Sequence, residues 1–189
     1  MIRFDNVTKR FGEQTVLENL SIEINSGERV AIMGRSGSGK TTFINLILGL
    51  IKQNSGTVNV DSNSFGVVFQ ENRLIDALSA RANVRVAVNR EIDKNELDEV
   101  FDRLRLDRDI TDKPVRELSG GEKRRVAIAR ALLTDAEIYI FDEPLKGIDT
   151  VTLESVLELI NEKTLGKTFL MITHSEDEAN ALCDRIIRI

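Results

Sequence analysis

From Gly34 to Thr41 the chain reads Gly-Arg-Ser-Gly-Ser-Gly-Lys-Thr, which satisfies G-x-x-x-x-G-K-[ST] at every fixed position. Without a Cβ, Gly34, Gly37 and Gly39 let the backbone curl and turn several N–H groups inward. The helical pattern that begins at Thr42 would add its positive dipole end. Lys40 contributes a full positive charge, and Thr41 a hydroxyl where a Mg²⁺ bridging terminal phosphates would need an oxygen ligand. The chemistry implied is the holding of a phosphate chain. Three further groups could act on one: Gln70, the adjacent acids Asp142 and Glu143, and His174, the one histidine in the chain. Asp142 suits the outer coordination of Mg²⁺, and Glu143 has a carboxylate free to serve as base toward water. His174 could contact a terminal phosphate, and a glutamine amide could ligate the metal or hold a water. Leu118-Ser119-Gly120-Gly121-Glu122 offers a second set of free backbone N–H groups, although its simplest role is to cap a helix.

Each of these residues follows a stretch that reads as a buried strand. Glu28–Met33 is almost continuously apolar and leads into the phosphate loop, Phe65–Phe69 precedes Gln70, Glu137–Phe141 precedes the acids and Thr168–Thr173 precedes His174. Helical patterns lie between: Thr42–Leu50, Asp76–Val88, Asp93–Leu106, Ser119 to about Leu133, a helix capped by Asp149, and one capped by Ser175 with Glu178. Asp93 with Glu96 has the spacing of a capping box. In the helix after Asp149, Val151, Val156, Leu157 and Ile160 form the expected inward stripe. Strands alternating with helices predict a mostly parallel sheet, and ligands gather at the carboxyl ends of such strands. Ile2–Val7 and Val16–Ile24 read as a separate antiparallel group near the N-terminus, and Gly56–Val60 as a further short strand. Gly166 falls where a helix would end, and Arg185–Ile189 reads as a final strand.

The order of these segments resembles the nucleotide-binding subunits of ATP-binding cassette (ABC) transporters, and Leu-Ser-Gly-Gly-Glu is the signature of that family. The resemblance covers nearly the whole chain. It implies an α/β fold: a P-loop NTPase core with a mostly parallel sheet, an antiparallel β subdomain and a helical insertion, all within one domain spanning 1–189. The helical subdomain would occupy about 71–133. Its implied ligands are ATP and Mg²⁺, with Phe11 stacking on adenine and Thr41, Gln70 and Asp142 around the metal. The implied nucleotide contacts are Phe11, Val16, Gly34, Arg35, Ser36, Gly37, Ser38, Gly39, Lys40, Thr41 and Thr42. Ser119, Gly120, Gly121, Glu122 and Asp149 would close over the ATP of a second, head-to-tail copy. Glu143 would polarise the attacking water, with His174, Gln70 and Lys40 completing the catalytic set. The family usually has Ser-Ala-Leu-Asp where this chain has Lys146-Gly147-Ile148-Asp149, a departure in a loop that would cross the dimer interface.

Bulk properties narrow the function. A length of 189 residues, 41% of them hydrophobic, suffices for a core without disulfides or a structural metal, and the single cysteine, Cys183, excludes an internal disulfide. Cys183 reads as a small buried hydrophobe. A net charge of −5 argues against general nucleic-acid binding, although Lys123, Arg124, Arg125 and Arg130 form a basic helix face that could touch phosphates or simply be solvated. The opening Met-Ile-Arg-Phe-Asp has no signal-peptide character and no apolar run is long enough to span a bilayer. The expected place is therefore the cytoplasmic face of the membrane, docked on transmembrane permease subunits beside a second ABC ATPase subunit in a homodimer. Thr173–Ala179 and Asp184–Ile186 resemble importer subunits, so the expected activity is ATP hydrolysis coupled to solute import. The alternatives are a lipid-handling or export ATPase, a soluble ATPase acting on nucleic acid or ribosomes, and a nucleotide-binding regulator without turnover.

Overall fold

The computed structural model of the chain describes residues 1–88 and 90–189; Asn89, inside the expected helical subdomain, lies outside the described residues. Two sheets form. β1 (Ile2–Phe11) pairs antiparallel with β2 (Gln14–Ile24) on one side and with β4 (Ser55–Val60) on the other. The second sheet has five strands in the order β5-β6-β7-β3-β8, comprising β3 (Arg29–Met33), β5 (Phe65–Val68), β6 (Ile138–Asp142), β7 (Thr168–Ile172) and β8 (Arg185–Arg188). All four of its pairings are parallel. This agrees with the α/β fold expected from the strand–helix alternation.

β6 and β7 are buried at every position, so their side chains serve two cores with a period of two. Ile138, Ile140, Leu170 and Ile172 join Phe4 and Val7 of β1 and Phe43 and Leu46 of α1 (Lys40–Ile47). Phe4 and Phe43 stack with ring centroids 4.6 Å apart, fastening the antiparallel sheet to that helix. Tyr139, Phe141, Phe169 and Met171 face the other way, into a cluster with the helices α2 (Ala80–Ala87), α3 (Lys94–Arg103), α5 (Gly120–Leu132) and α6 (Thr150–Lys163). A short helix, α4 (Arg108–Thr111), precedes α5, and α7 (Glu176–Leu182) precedes β8. Burying each large side chain is worth about 1.5–3 kcal/mol, so central strands loaded on both faces hold their carboxyl ends in fixed places. The loops that leave those ends inherit the precision.

Several elements differ from expectation for local reasons. α1 starts two residues early because Gly39, at φ 100°, serves as its N-cap in a left-handed conformation. The helix expected from Asp76 is confined to Ala80–Ala87: Ser79 caps it, and the Asn83 amide instead ties the preceding turn through the Ile75, Leu78 and Ser79 carbonyls. Asp93 accepts from the Asn95 N–H, whereas Glu96 is drawn into an ion pair with Arg90, so no capping box closes there. Val151 is 67% exposed rather than inward; it occupies the first turn of α6, where Thr152 is the buried residue and bonds the Asp149 cap. Cys183 packs against the margin of the helix-side core and against a small cluster of Ala31, Met33 and Ala179, and burial pushes its thiol up to about 12.

Candidate nucleotide site

An open cleft of about 210 Å³ lies at the carboxyl end of the parallel sheet. Its walls are Val16, Ser36, Gly37, Gly39, Lys40, Thr41, Thr42, Gln70, Asp142, Glu143, Ile172 and His174. All four chemistry-bearing segments therefore meet. Gly34, Arg35 and Ser38 belong to the same loop but do not face the cleft. The Gly39 cap carries no side-chain hydrogen bond, which leaves the first N–H groups of α1 without a capping side chain. A Cβ at Gly39 would stand 2.8 Å from Leu17 Cδ2, so the β2 strand reaches this close only because residue 39 is glycine. Lys40 is buried and its ammonium donates to the carbonyls of Gly34 (2.9 Å) and Arg35 (2.8 Å), curling the loop around itself. Ser38 Oγ is a buried side-chain oxygen with no partner among the described residues. Uncapped N–H groups at the start of α1, with a buried lysine beside them in the cleft wall, fit a polyphosphate.

Beyond the loop, Asp142 ends β6 and is only 7% exposed. Burial, and then the neighbouring Glu143 charge, raises its pKa above the ordinary carboxylate value, against the pull of Arg124, Lys40 and His174. Such a group gains from a cation. Thr41, Gln70 and Asp142 line the main cleft and also an adjoining depression, and their hydroxyl, amide and carboxylate oxygens are the hard donors Mg²⁺ takes. With one carboxylate in the set, the remaining ligands would come from phosphate and water. Among the described residues no group of three His, Cys, Asp or Glu side chains could hold a metal alone.

Glu143 is not free, as the sequence suggested. One carboxylate oxygen lies 3.3 Å from His174 Nε2 and the other 3.1 Å from Lys146 Nζ. Its backbone is left-handed at φ 47°, held by an N–H bond to the Ile172 carbonyl (2.9 Å). The strained turn swings Glu143 away from the strand direction of Asp142.

Arg124 is the functional neighbour that pattern reading missed. It is 3% exposed, and its guanidinium donates to the carbonyls of Phe69 (2.6 Å), Asp142 (3.0 Å) and Glu143 (2.7 Å) and to Asn72 Oδ1 (3.1 Å). One planar cation thus joins the end of β5 to the end of β6. The signal was present: Ala127, Ile128 and Ala131, three, four and seven residues on, are all buried, so Arg124 lies on the inward stripe of α5. The basic face itself dissolves. Arg125 donates to the Leu104 and Arg105 carbonyls, and Arg130 to those of Asn72 and Arg73.

The remaining expected contacts stand apart from the cleft. Ser119 and Glu122 form a complete capping box on α5, in which the Ser119 N–H bond holds the Glu122 carboxyl below its ordinary pKa. Ser119 and Gly120 are exposed, Asp149 caps α6, and none of Ser119, Gly120, Gly121, Glu122 and Asp149 lines the cleft. Phe11, half-exposed at the β1–β2 turn, also lies outside the lining, with the Lys9 ammonium 4.8 Å from its ring centroid.

Comparison with known proteins agrees with this arrangement. The chain is 35% identical to the spermidine/putrescine import ATP-binding protein PotA of Pseudomonas aeruginosa (strain UCBPP-PA14), over 98% of this chain and 56% of that protein, so it spans little more than half of that relative. It is 34% identical to the taurine import ATP-binding protein TauB of Jannaschia sp. (strain CCS1), over 96% of this chain and 75% of that one. Its fold superposes on a dimeric, post-hydrolysis structure of the ATP-binding cassette MJ0796 bound to ADP and Pi, with a TM-score of 0.86 at 32% identity, covering 100% of this chain and 94% of the other. Residues 17–146 match the family described as ABC transporter. On this match and on relatives aligned along almost its whole length, the chain belongs to the ABC transporter family of ATP-binding cassettes.

Proposed function

We propose that this chain binds Mg-ATP between two head-to-tail copies and hydrolyses it to drive a membrane transporter. The observation that carries the proposal is the convergence of the phosphate loop, Gln70, Asp142, Glu143 and His174 on one cleft. In this reading Lys40 and the α1 N-terminus hold the β- and γ-phosphates, while Thr41, Gln70 and Asp142 hold Mg²⁺. The metal, when bound, spreads the charge that develops on the transferred phosphoryl group. Glu143 accepts a hydrogen bond from the attacking water and takes up its proton. His174, 3.3 Å from Glu143, fixes the direction of that carboxylate and faces the γ-phosphate. Arg124 keeps Gln70 and the acids in register. A cleft of about 210 Å³ is smaller than ordinary ligand pockets, which supports a site completed by Ser119–Glu122 and Asp149 of a second copy, with Phe11 available to the base.

No helix among the described residues is long and apolar enough to cross a membrane. In this reading the chain works at the cytoplasmic face, docked on permease subunits through the helical insertion of about Glu71 to Glu117. Import is the favoured direction because PotA and TauB are named import ATP-binding proteins. Binding to nucleic acid is disfavoured by the engagement of Arg124, Arg125 and Arg130 with backbone carbonyls. The test is steady-state release of phosphate from Mg-ATP by the full chain. The wild type should turn over, and Glu143→Gln should lower the rate by about two orders of magnitude or more with nucleotide affinity retained. A Glu143→Gln variant as fast as the wild type would overturn the mechanism.

A further inference from the structure

We propose that Lys146 is a latch that holds one Glu143 carboxylate oxygen from the outer side of the cleft wall and restrains hydrolysis until the loop carrying Lys146 is moved; the proposal rests on the function given above. Glu143 stands in the wall between two spaces. On the inner side is the cleft bounded by the phosphate loop. On the outer side is an opening of about 410 Å³, bounded by Glu143, Lys146, Thr173, His174, Ser175 and Glu178. Lys146 borders only the outer one. Its ammonium holds Glu143 Oε2 at 3.1 Å, while His174 Nε2 lies 3.3 Å from Oε1, so each oxygen faces a side chain of the same molecule. The main chain cannot relieve the competition. The Glu143 N–H is committed to Ile172, its carbonyl accepts from Arg124 (2.7 Å), and the Lys146 N–H closes a turn on that same carbonyl at 3.3 Å. Only rotation of the carboxylate away from Lys146 leaves it free to face water in the cleft.

The two partners are unequal, as a release mechanism needs. The Glu143 side chain is 17% exposed and the Lys146 side chain 69%, so the lysine can leave into solvent at small cost. The next residue, Gly147, has φ 79°, and its carbonyl oxygen would stand 2.8 Å from a Cβ placed on Gly121. The latch loop is therefore seated against the first turn of α5, beside the exposed Ser119 and Gly120. A second copy of the chain arriving on Ser119 and Gly120 would press on the loop that carries Lys146. Lys146 is a positioning residue: it acts on the rate through Glu143.

The test compares Mg-ATP turnover by the full-length wild type, Lys146→Met and Lys146→Arg, each also in a Glu143→Gln background. Lys146→Met should raise kcat about three- to fivefold, the size of an ion pair of this exposure, with KM within about twofold. Lys146→Arg, which restores the charge, should keep the wild-type rate. In the Glu143→Gln background the residue at 146 should make no difference, since an amide at 143 cannot take the proton of water whether or not Lys146 holds it. An unchanged or lower kcat in Lys146→Met overturns the proposal, and so does an equal rise in Lys146→Arg or a rise that persists without Glu143. If neither the wild type nor Lys146→Met hydrolyses ATP, the function proposed above falls and the latch with it; equal turnover by the two sinks the latch alone.

Discussion

At the scale of the single residue, Asp142 is the group in the cleft that is held at a cost. Asp142 is buried at the end of β6 with its pKa raised, by burial first and by Glu143 second. A carboxyl raised in the folded state binds its proton more tightly there than in the unfolded chain. Its contribution to stability therefore falls as the pH rises from the ordinary carboxylate range through the raised value, and at neutral pH the ionised group is a burden. Asp142→Asn removes the charge and keeps the shape. The variant should melt about 2–4 °C higher than the wild type without nucleotide, for a gain of about 1 kcal/mol. It should lose the Mg²⁺-dependent part of ATP binding, measured by calorimetry with and without the metal. The advantage in melting temperature should narrow as the pH is lowered through the range where the wild-type carboxyl takes up its proton. A lower melting temperature for Asp142→Asn at neutral pH would refute the claim that this carboxylate is held at a cost.

The element that matters most to the site is α5, which packs on the sheet through Val126, Ala127 and Ala131 and sends Arg124 under the ends of β5 and β6. Replacing Arg124 by methionine keeps the aliphatic volume but leaves the Phe69, Asp142 and Glu143 carbonyls without this donor. Unfolding in urea should show a loss of about 2–4 kcal/mol. ATP turnover should fall further than the residual stability explains, because Gln70 and Glu143 lose their common brace. If Arg124→Met matches the wild type in both stability and turnover, the brace is not a real one. Why this residue escaped the sequence is physical. Local pattern assigns arginine to solvent, and Arg124, Arg125 and Arg130 sit together in a run that reads as one charged face. Only the tertiary structure supplies the carbonyls that make burial favourable. Strands β3, β6 and β7, by contrast, were legible because burial on both faces leaves an unbroken apolar run. Their ends then fixed where the phosphate loop, the acids and His174 would meet. Val151 misled because its apolar type was read as inward: nine residues before Ile160 it is half a turn out of phase at 3.6 residues per turn, and the buried face of α6 falls on Thr152, Val156, Leu159 and Ile160. The salt bridge from Lys146 to Glu143 could not be read at all, since the left-handed turn at Glu143 that brings them together has no signature in residue type.

For the whole molecule, the signature segment is fully formed in one copy and stands apart from that copy's own cleft. The capping box fixes Ser119 and Glu122, and Ser119 and Gly120 stay exposed and outside the cleft. The cleft is open to solvent, and the signature presents an exposed, capped helix start. In the head-to-tail pairing proposed above, the signature of one copy would cover the cleft of the other, and the interface itself would depend on nucleotide, because the phosphates would be shared between the copies. Two measurements follow from that dependence. Glu143→Gln, which holds ATP without consuming it, should double its mass in light scattering at saturating Mg-ATP and return to a single copy when nucleotide is removed. Ser119→Arg, at an exposed cap, puts bulk and charge where the partner's phosphate would lie. In the Glu143→Gln background it should abolish the doubling, while the affinity of the single copy for ATP stays within about threefold, since that position does not line the molecule's own cleft. A Ser119→Arg variant that still doubles in mass would remove the signature from the interface, and one that loses ATP binding outright would move it into the cleft of its own chain.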